Sequence, residues 1–285
     1  MNHPVELALY QYMETASSGE STMSEETIAQ VASDVADALR RQFNGNKRGD
    51  FRFRMSNIGK PSCQLWYEKN KPEVSLPLPT TFVMNMMIGD IVEAVFKGLL
   101  KEANVKYKDS EHVTLELTDT SIDGTYDLVI NDAVDDVKSA SDWSFKNKFS
   151  SYEDLENKDG FGYISQLAGY AKASGYKAGG WWVVNKATGE FKYLPASGLN
   201  VAQEIQKIEE NIKKATAKEF KRCFEPEEET FRKKPTGNLV LNKHCTFCSF
   251  RKDCWPNLVN RPAVKSQAKD PKMVAYVKLA EEYNQ

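Results

Sequence analysis

Cysteine, long apolar runs and an excess charge of either sign are all scarce in this chain of 285 residues. Five Cys are too few to staple a chain of this length, which excludes a disulfide scaffold, and their odd number and clustering point to metal chemistry. No stretch approaches the roughly 18 consecutive apolar residues that span a bilayer, and the N-terminal segment lacks a signal-peptide apolar run. The expectation is a soluble, cytoplasmic protein with no membrane partner. Lys and Arg number 38 against 40 Asp and Glu, so a nucleic-acid partner needs a local basic surface. A Gly-x4-Gly-Lys-Ser/Thr loop is missing, because position 54 ahead of Gly59-Lys60 is Arg, and an attached ATP-driven motor is not expected.

What is present is enough for a packed core. Hydrophobic residues make up 41% of the chain, and about 150 residues per domain gives one or two domains. Apolar spacing predicts helices around Val5–Met13, from Ser24 to Arg41, over 82–104, over 163–173 and over 201–220. Residues 44–50 (NGNKRGD) read as a loop and 71–79, with three prolines, as a connector. Alternation predicts strands over 111–117, 121–130 and 134–139, and a hairpin of 181–185 with 190–194. A closing helix is expected over 272–283. Helices around a central mixed sheet give an α/β or α+β fold. The expected regions are 1–55 (helical), 56–222 (core) and 223–285 (Cys-rich, packed with Cys63).

The segment SIDGTYDLVINDAVDDVKSAS holds the first constellation. If Asn131-Asp132 is a two-residue loop, Ile130 pairs with Ala133 and Asp127 falls opposite Asp136, with Lys138 on the same face. A four-residue loop sets Asp127 against Lys138, still on that face, whereas a three-residue loop breaks the arrangement. Opposed carboxylates suit Mg²⁺ or Mn²⁺, and such an ion activates water and offsets phosphoryl charge. The bland alternative is an acidic, solvated hairpin of Asp123, Asp127, Asp132, Asp135 and Asp136. Glu93, at the margin of the 82–104 helix stripe, can reach a metal held by the sheet. Gln166 and Tyr170 share one helix face at i,i+4 and suit a phosphate or nucleotide.

The second constellation is Cys245-x2-Cys248-x5-Cys254, set among basic and aromatic residues. Three thiolates need a fourth ligand, for which Cys63, His244 and Cys223 are the candidates, and both Zn²⁺ and an iron–sulfur cluster accept four thiolates. Basic clusters at 47–54, 146–148, 232–234 and 243–252 interleave with Phe51, Phe53, Phe145, Phe149, Phe247 and Phe250, as a single-strand channel would. Arg52, Arg54, Lys146 and Lys148, with Gln166 and Tyr170, are the expected DNA contacts. Trp181 and Trp182 read as core packing.

Taken in order, Glu93, Gly124-x2-Asp127, Asp136-x-Lys138 and Gln166-x3-Tyr170 resemble the PD-(D/E)XK nuclease superfamily, in its RecB-like branch. Ser56-x2-Gly59, the lone Cys63 and the C-x2-C-x5-C run resemble the AddB and CRISPR-adaptation nucleases of that branch. The resemblance runs from about Ser56 to Pro256. It departs at Glu93, where the branch often has His, though Glu keeps a hard oxygen ligand. What it implies is a restriction-endonuclease-like core and a metal-dependent exonuclease acting on single-stranded or duplex ends. The implied ligands of Mg²⁺ or Mn²⁺ are Glu93, Asp127, Asp136 and the carbonyl of Val137. Lys138, Gln166 and Tyr170 complete the catalytic set. It also implies a 4Fe–4S cluster on Cys63, Cys245, Cys248 and Cys254, closing a long loop structurally and leaving Cys223 a buried thiol. Recombination, repair or CRISPR-adaptation proteins are the implied partners. The rivals are a nucleic-acid-binding protein with a structural zinc site and a sequence-specific endonuclease of the same superfamily.

Overall fold

The computed structural model of the protein describes residues 3–43 and 50–283, so 44–49 of the expected NGNKRGD loop, including Lys47 and Arg48, lie outside the described residues. Four helices come first: α1 (Pro4–Ser17), α2 (Glu25–Phe43), α3 (Ser62–Asn70) and α4 (Phe82–Glu102). Strands β1 (Glu111–Glu116), β2 (Ser121–Tyr126), β3 (Leu128–Ile130) and β4 (Ala133–Ala140) follow. A π-helical turn (Ser144–Lys148) leads to α5 (Tyr152–Lys158) and α6 (Tyr163–Ser174). Next come β5 (Lys177–Asn185), β6 (Phe191–Pro195) and α7 (Val201–Ala215). The C-terminal part holds β7 (Glu227–Phe231), β8 (Lys234–Val240), the short α8 (Arg251–Cys254), β9 (Val259–Pro262) and β10 (Met273–Lys278). The fold is α+β, as the patterning implied.

Two compact units emerge: Met1–Gly59 with Pro79–Glu210, and Lys60–Leu78 with Asn211–Gln285. This division differs from the expected one. The N-terminal helices do not stand apart, because α2 packs along α4 and α1 touches it too. Ser24 caps α2 and donates to Glu102 Oε1 at 2.6 Å, tying the start of α2 to the end of α4. Cys63 does fall with the Cys-rich region.

In the first unit a mixed sheet runs β3-β4-β5-β6, with β4 and β5 parallel and the outer pairs antiparallel. The parallel pair requires a crossover, which α5 and α6 supply. Helix α4 covers one face: Phe96 and Leu100 pack with Leu128, Ile130, Val137, Trp182 and Phe191. Trp181 and Trp182 point to opposite faces of β5 and are both fully buried, so this strand is covered on two sides, as expected of core residues. β1 and β2 form a separate antiparallel ribbon on which α6 also packs.

The second unit is built on an antiparallel sheet, β7-β8-β10-β9. The helix expected over 272–283 is instead β10, paired with β8 and β9. Val274, Tyr276 and Val277 are β-formers, and Tyr276 is buried with its hydroxyl on Glu229 Oε1 at 2.7 Å, so sheet pairing overrides the helix-like spacing. Helix α7 stops at Ala215, short of the expected 220.

Candidate functional site

The loop Asn131-Asp132 has φ of +51° and +58°, a two-residue I′ turn whose twist matches the flanking strands. It sets Ile130 opposite Ala133 and Leu128 opposite Asp135, the register that brings Asp127 to Asp136. The expected strand 121–130 is broken at Asp127, between β2 and β3. Released from pairing, Asp127 turns its carboxylate onto β4, where Oδ2 accepts from the Val137 amide at 2.7 Å. Asp136 is 2% exposed and its Oδ1 accepts from Lys138 Nζ at 2.6 Å. Oδ2 of Asp136 is buried and lies 2.5 Å from the same ammonium, outside hydrogen-bonding geometry.

An acidic solvated hairpin is therefore ruled out for Asp127, Asp135 and Asp136, whereas Asp123 and Asp132 are exposed as that reading has them. Asp135, one position from Asp136 and on the other face, is 1% exposed. It accepts from the Gly180 amide at 2.8 Å, Trp182 Nε1 at 3.0 Å and the Tyr193 hydroxyl at 2.9 Å. Three donors make it a structural acid, although burial still pushes it up to about 7.

Glu93 is half-buried on α4 and pairs with Lys97 at 2.8 Å, which also reaches Asp109 at 2.9 Å. Burial raises the Glu93 carboxyl and the charge of Asp127 raises it further. Burial, then the charge of Asp136, pushes Asp127 up to about 7, and burial raises Asp136 as well. Burial opposes the charge on Lys138, but Asp136 and Asp127 outweigh it and hold the ammonium above its ordinary value. Three mutually repelling acids thus share one electrostatic neighbourhood, with lysines as their counter-charges.

Gln166 and Tyr170 lie on one face of α6, Nε2 3.5 Å from the tyrosine hydroxyl. Tyr170 is buried and feels the charges of Asp136 and Asp127. Gly124, three residues before Asp127, makes room for it: a Cβ there would lie 2.9 Å from Tyr170 Cε1 and collide with Met55. The glycine of the Gly-x2-Asp run is thus a packing requirement.

The expected DNA contacts scatter. Arg52 is exposed, Arg54 is half-buried with Nε enclosed and unpaired, and Lys146 is exposed on Asp142 at 2.9 Å. Lys148 is a correction to the surface reading. Its side chain is only 7% exposed, 3.8 Å from Asp159 and with Nζ 4.2 Å from the Tyr163 ring centroid. Burial brings it down to about 8. The π-helical turn folds it inward, and nothing in the spacing of Lys146 and Lys148 announces that. Sequence reasoning also passed over Lys97, although i,i+4 spacing from Glu93 signals the pair.

All five thiols belong to the second unit. Cys245, Cys248 and Cys254 sit in an aromatic core with Tyr67, Phe250 and Trp255. The Cys248 amide donates to the Cys245 carbonyl at 3.1 Å, closing the Cys-x2-Cys turn. Arg222 stacks on Trp255 at 4.3 Å and donates to the Cys254 carbonyl at 2.7 Å. Burial raises the Cys245 thiol to about 12 and raises Cys248 and Cys254. Cys223, expected as a buried bystander, is exposed and accepts from the Cys63 amide at 3.0 Å. That contact pattern lowers Cys223 to about 6 and raises Cys63, whose neighbours include Cys248. The donor chemistry of both sites fits its expected group: hard, buried oxygens in one, gathered thiols in the other. As the side chains stand, no three His, Cys, Asp or Glu among the described residues converge on a single ion position. Among the described residues no helix is long and apolar enough to cross a membrane.

No protein-family model matches the chain, and no curated protein matches it. Among solved structures, the crystal structure of SSO0001 is similar over 81% of this chain and 96% of that one, at 12% identity and a TM-score of 0.41.

Proposed function

We propose that this protein is a divalent-metal-dependent DNA exonuclease of the PD-(D/E)XK type. The observation that carries the reading is the shared face of Asp127, Asp136 and Lys138, with Glu93 in the same electrostatic neighbourhood. Asp127, Asp136 and Glu93 would hold Mg²⁺ or Mn²⁺, with the Val137 carbonyl as a further donor. When bound, the ion polarises the phosphoryl oxygen and makes water a better nucleophile at neutral pH. Lys138, kept charged by its carboxylate neighbours, orients the attacking water and offsets the charge that builds on phosphorus. Gln166 and Tyr170 steer the strand beside them. Within the second unit, Cys63, Cys245, Cys248 and Cys254 would ligate a 4Fe–4S cluster that pins the 60–78 segment to the C-terminal region.

The test compares the intact protein with Asp136→Asn, prepared anaerobically, on linear and circular DNA with Mn²⁺ or EDTA. Metal-dependent loss of linear DNA that Asp136→Asn abolishes, with DNA binding retained, is the expected result. Cutting of closed circles would point to an endonuclease. No cleavage by the metal-replete protein would overturn the enzyme reading. A brown sample absorbing near ~400 nm identifies iron–sulfur ligation, and a colourless zinc-loaded one identifies the rival metal.

A further inference from the structure

Three near-parallel rings run from the core to solvent, with Lys138 beside the middle one. Phe149 is buried, Tyr163 is half-buried and Phe161 is 58% exposed. Tyr163 stacks on Phe149, with centroids 5.9 Å apart and planes at 21°, and on Phe161, at 5.8 Å and 18°. Lys138 Nζ lies 5.1 Å from the Tyr163 centroid, and Lys148 Nζ lies within 5.7 Å of all three ring centres.

Single exposed apolar residues are ordinary. Phe161 differs because it caps a ring stack and precedes a tightly bonded turn. Asp159 accepts from the amides of Gly162 at 2.9 Å, Tyr163 at 3.0 Å and Ile164 at 2.9 Å, gathering the first turn of α6 onto one carboxylate. Gly162 has φ of +79°, and its backbone presses against Gly59 so closely that a Cβ on either would collide. The backbone that follows Phe161 is thereby fixed, and the ring itself is seated on Tyr163. Its centre and Lys138 Nζ each lie within 5.8 Å of the Tyr163 centroid, so they are less than about 12 Å apart. That is the reach of one or two nucleotides.

A ligand for this position must be flat and carry a phosphate that extends toward Lys138. A nucleobase has both properties, and every base offers a π-face for stacking. Within a duplex those faces are covered by neighbouring pairs and only the outermost pair shows one, whereas every unpaired or frayed base can stack on an aromatic ring. We infer that Phe161 is the stacking platform for an unpaired nucleobase of the strand whose phosphate reaches Lys138, so the substrate is a single-stranded or frayed DNA end. This rests on the nuclease reading and names its substrate class. Lys148, enclosed behind the rings, adds positive potential to the platform.

The experiment uses a thymidine oligonucleotide carrying a fluorescent adenine analogue near its end, bound to full-length protein in the Asp136→Asn background with Mn²⁺ present. Quenching on binding is expected with Phe161 and with Phe161→Trp. Phe161→Ala should abolish the quenching and weaken single-strand binding by roughly tenfold or more, with blunt-duplex binding little changed and the melting temperature preserved. Unchanged quenching and affinity in Phe161→Ala overturns the platform. An equal loss on blunt duplex overturns the single-strand preference. If native protein cuts linear DNA yet Phe161→Ala behaves as its parent, only this inference falls. If native protein cuts nothing while Phe161-dependent quenching persists, the platform stands and the nuclease reading falls.

Discussion

The two units handle buried reactive groups in opposite ways. In the first, carboxylates are charged or chargeable and each is answered by a donor: Asp136 by Lys138, Glu93 by Lys97, Asp127 by the Val137 amide. In the second, Cys245, Cys248 and Cys254 are pushed upward by burial and pack as small hydrophobes among aromatic rings. The acids therefore hold a defined arrangement through their counter-charges. The thiols must give up protons before they can ligate anything, so the proposed metal loading would be coupled to the ordering of that core.

The sharpest way to break this comparison is to remove one member of the acid set. Asp136→Asn should lower metal-dependent cleavage on the order of a thousandfold while iron and sulfide content stay at the native level. A variant that lost iron as well would show that the two sites are not independent. Cys254→Ser is the converse: iron content should fall to background, and the melting temperature should drop because the cluster's binding free energy is also folding energy.

Asp135→Ala tests the structural acid beside Asp136. It strands the Gly180 amide, Trp182 Nε1 and the Tyr193 hydroxyl, and should cost about 3 kcal/mol or more in a denaturant titration.

A pH scan separates the units further. Asp127 rises from an ordinary 3.8 to about 7 on folding. A carboxyl raised in this way contributes its stability in full below about 3.8 and loses it as pH climbs through about 7. In EDTA the first unit should thus lose melting temperature between about pH 4 and 7, and Mn²⁺ should restore it more at pH 7.5 than at pH 5. Asp127→Asn should flatten the slope.

The smallest effect is expected for Cys223→Ser. With the proposed cluster on Cys63, Cys245, Cys248 and Cys254, iron content should be unchanged. A fall by half or more would place Cys223 among the ligands.

Much of the first unit is legible because its chemistry follows strand and helix periods. The α4 stripe, the Asn131-Asp132 turn and the spacing of Asp136 to Lys138 each encode a direction, and together they set Asp127 against Asp136. Two things were hidden. Asp135 and Asp136 look alike in an acidic run, and only the pleat sends one to Trp182 and the other to Lys138. Lys148 reads as a surface cation because a π-helical turn has no period that a sequence advertises. The second unit is far less legible. Its strands are short and polar, as in Glu227–Phe231, or interrupted by Pro235 and Gly237, and β10 mimics an amphipathic helix until its partners β8 and β9 are known. Cys223 looked like a spare residue because the contact that brings it to Cys63 spans 160 positions.

Asp127 belongs to neither the β1-β2 ribbon nor the β3-β4-β5-β6 sheet; it is the single residue that joins them. Its backbone continues the ribbon while its carboxylate is held by the Val137 amide on β4, so one residue fastens the end of the ribbon to the sheet. Helix α6 packs on both, and the fastening therefore sits at the seam of the first unit's two β layers.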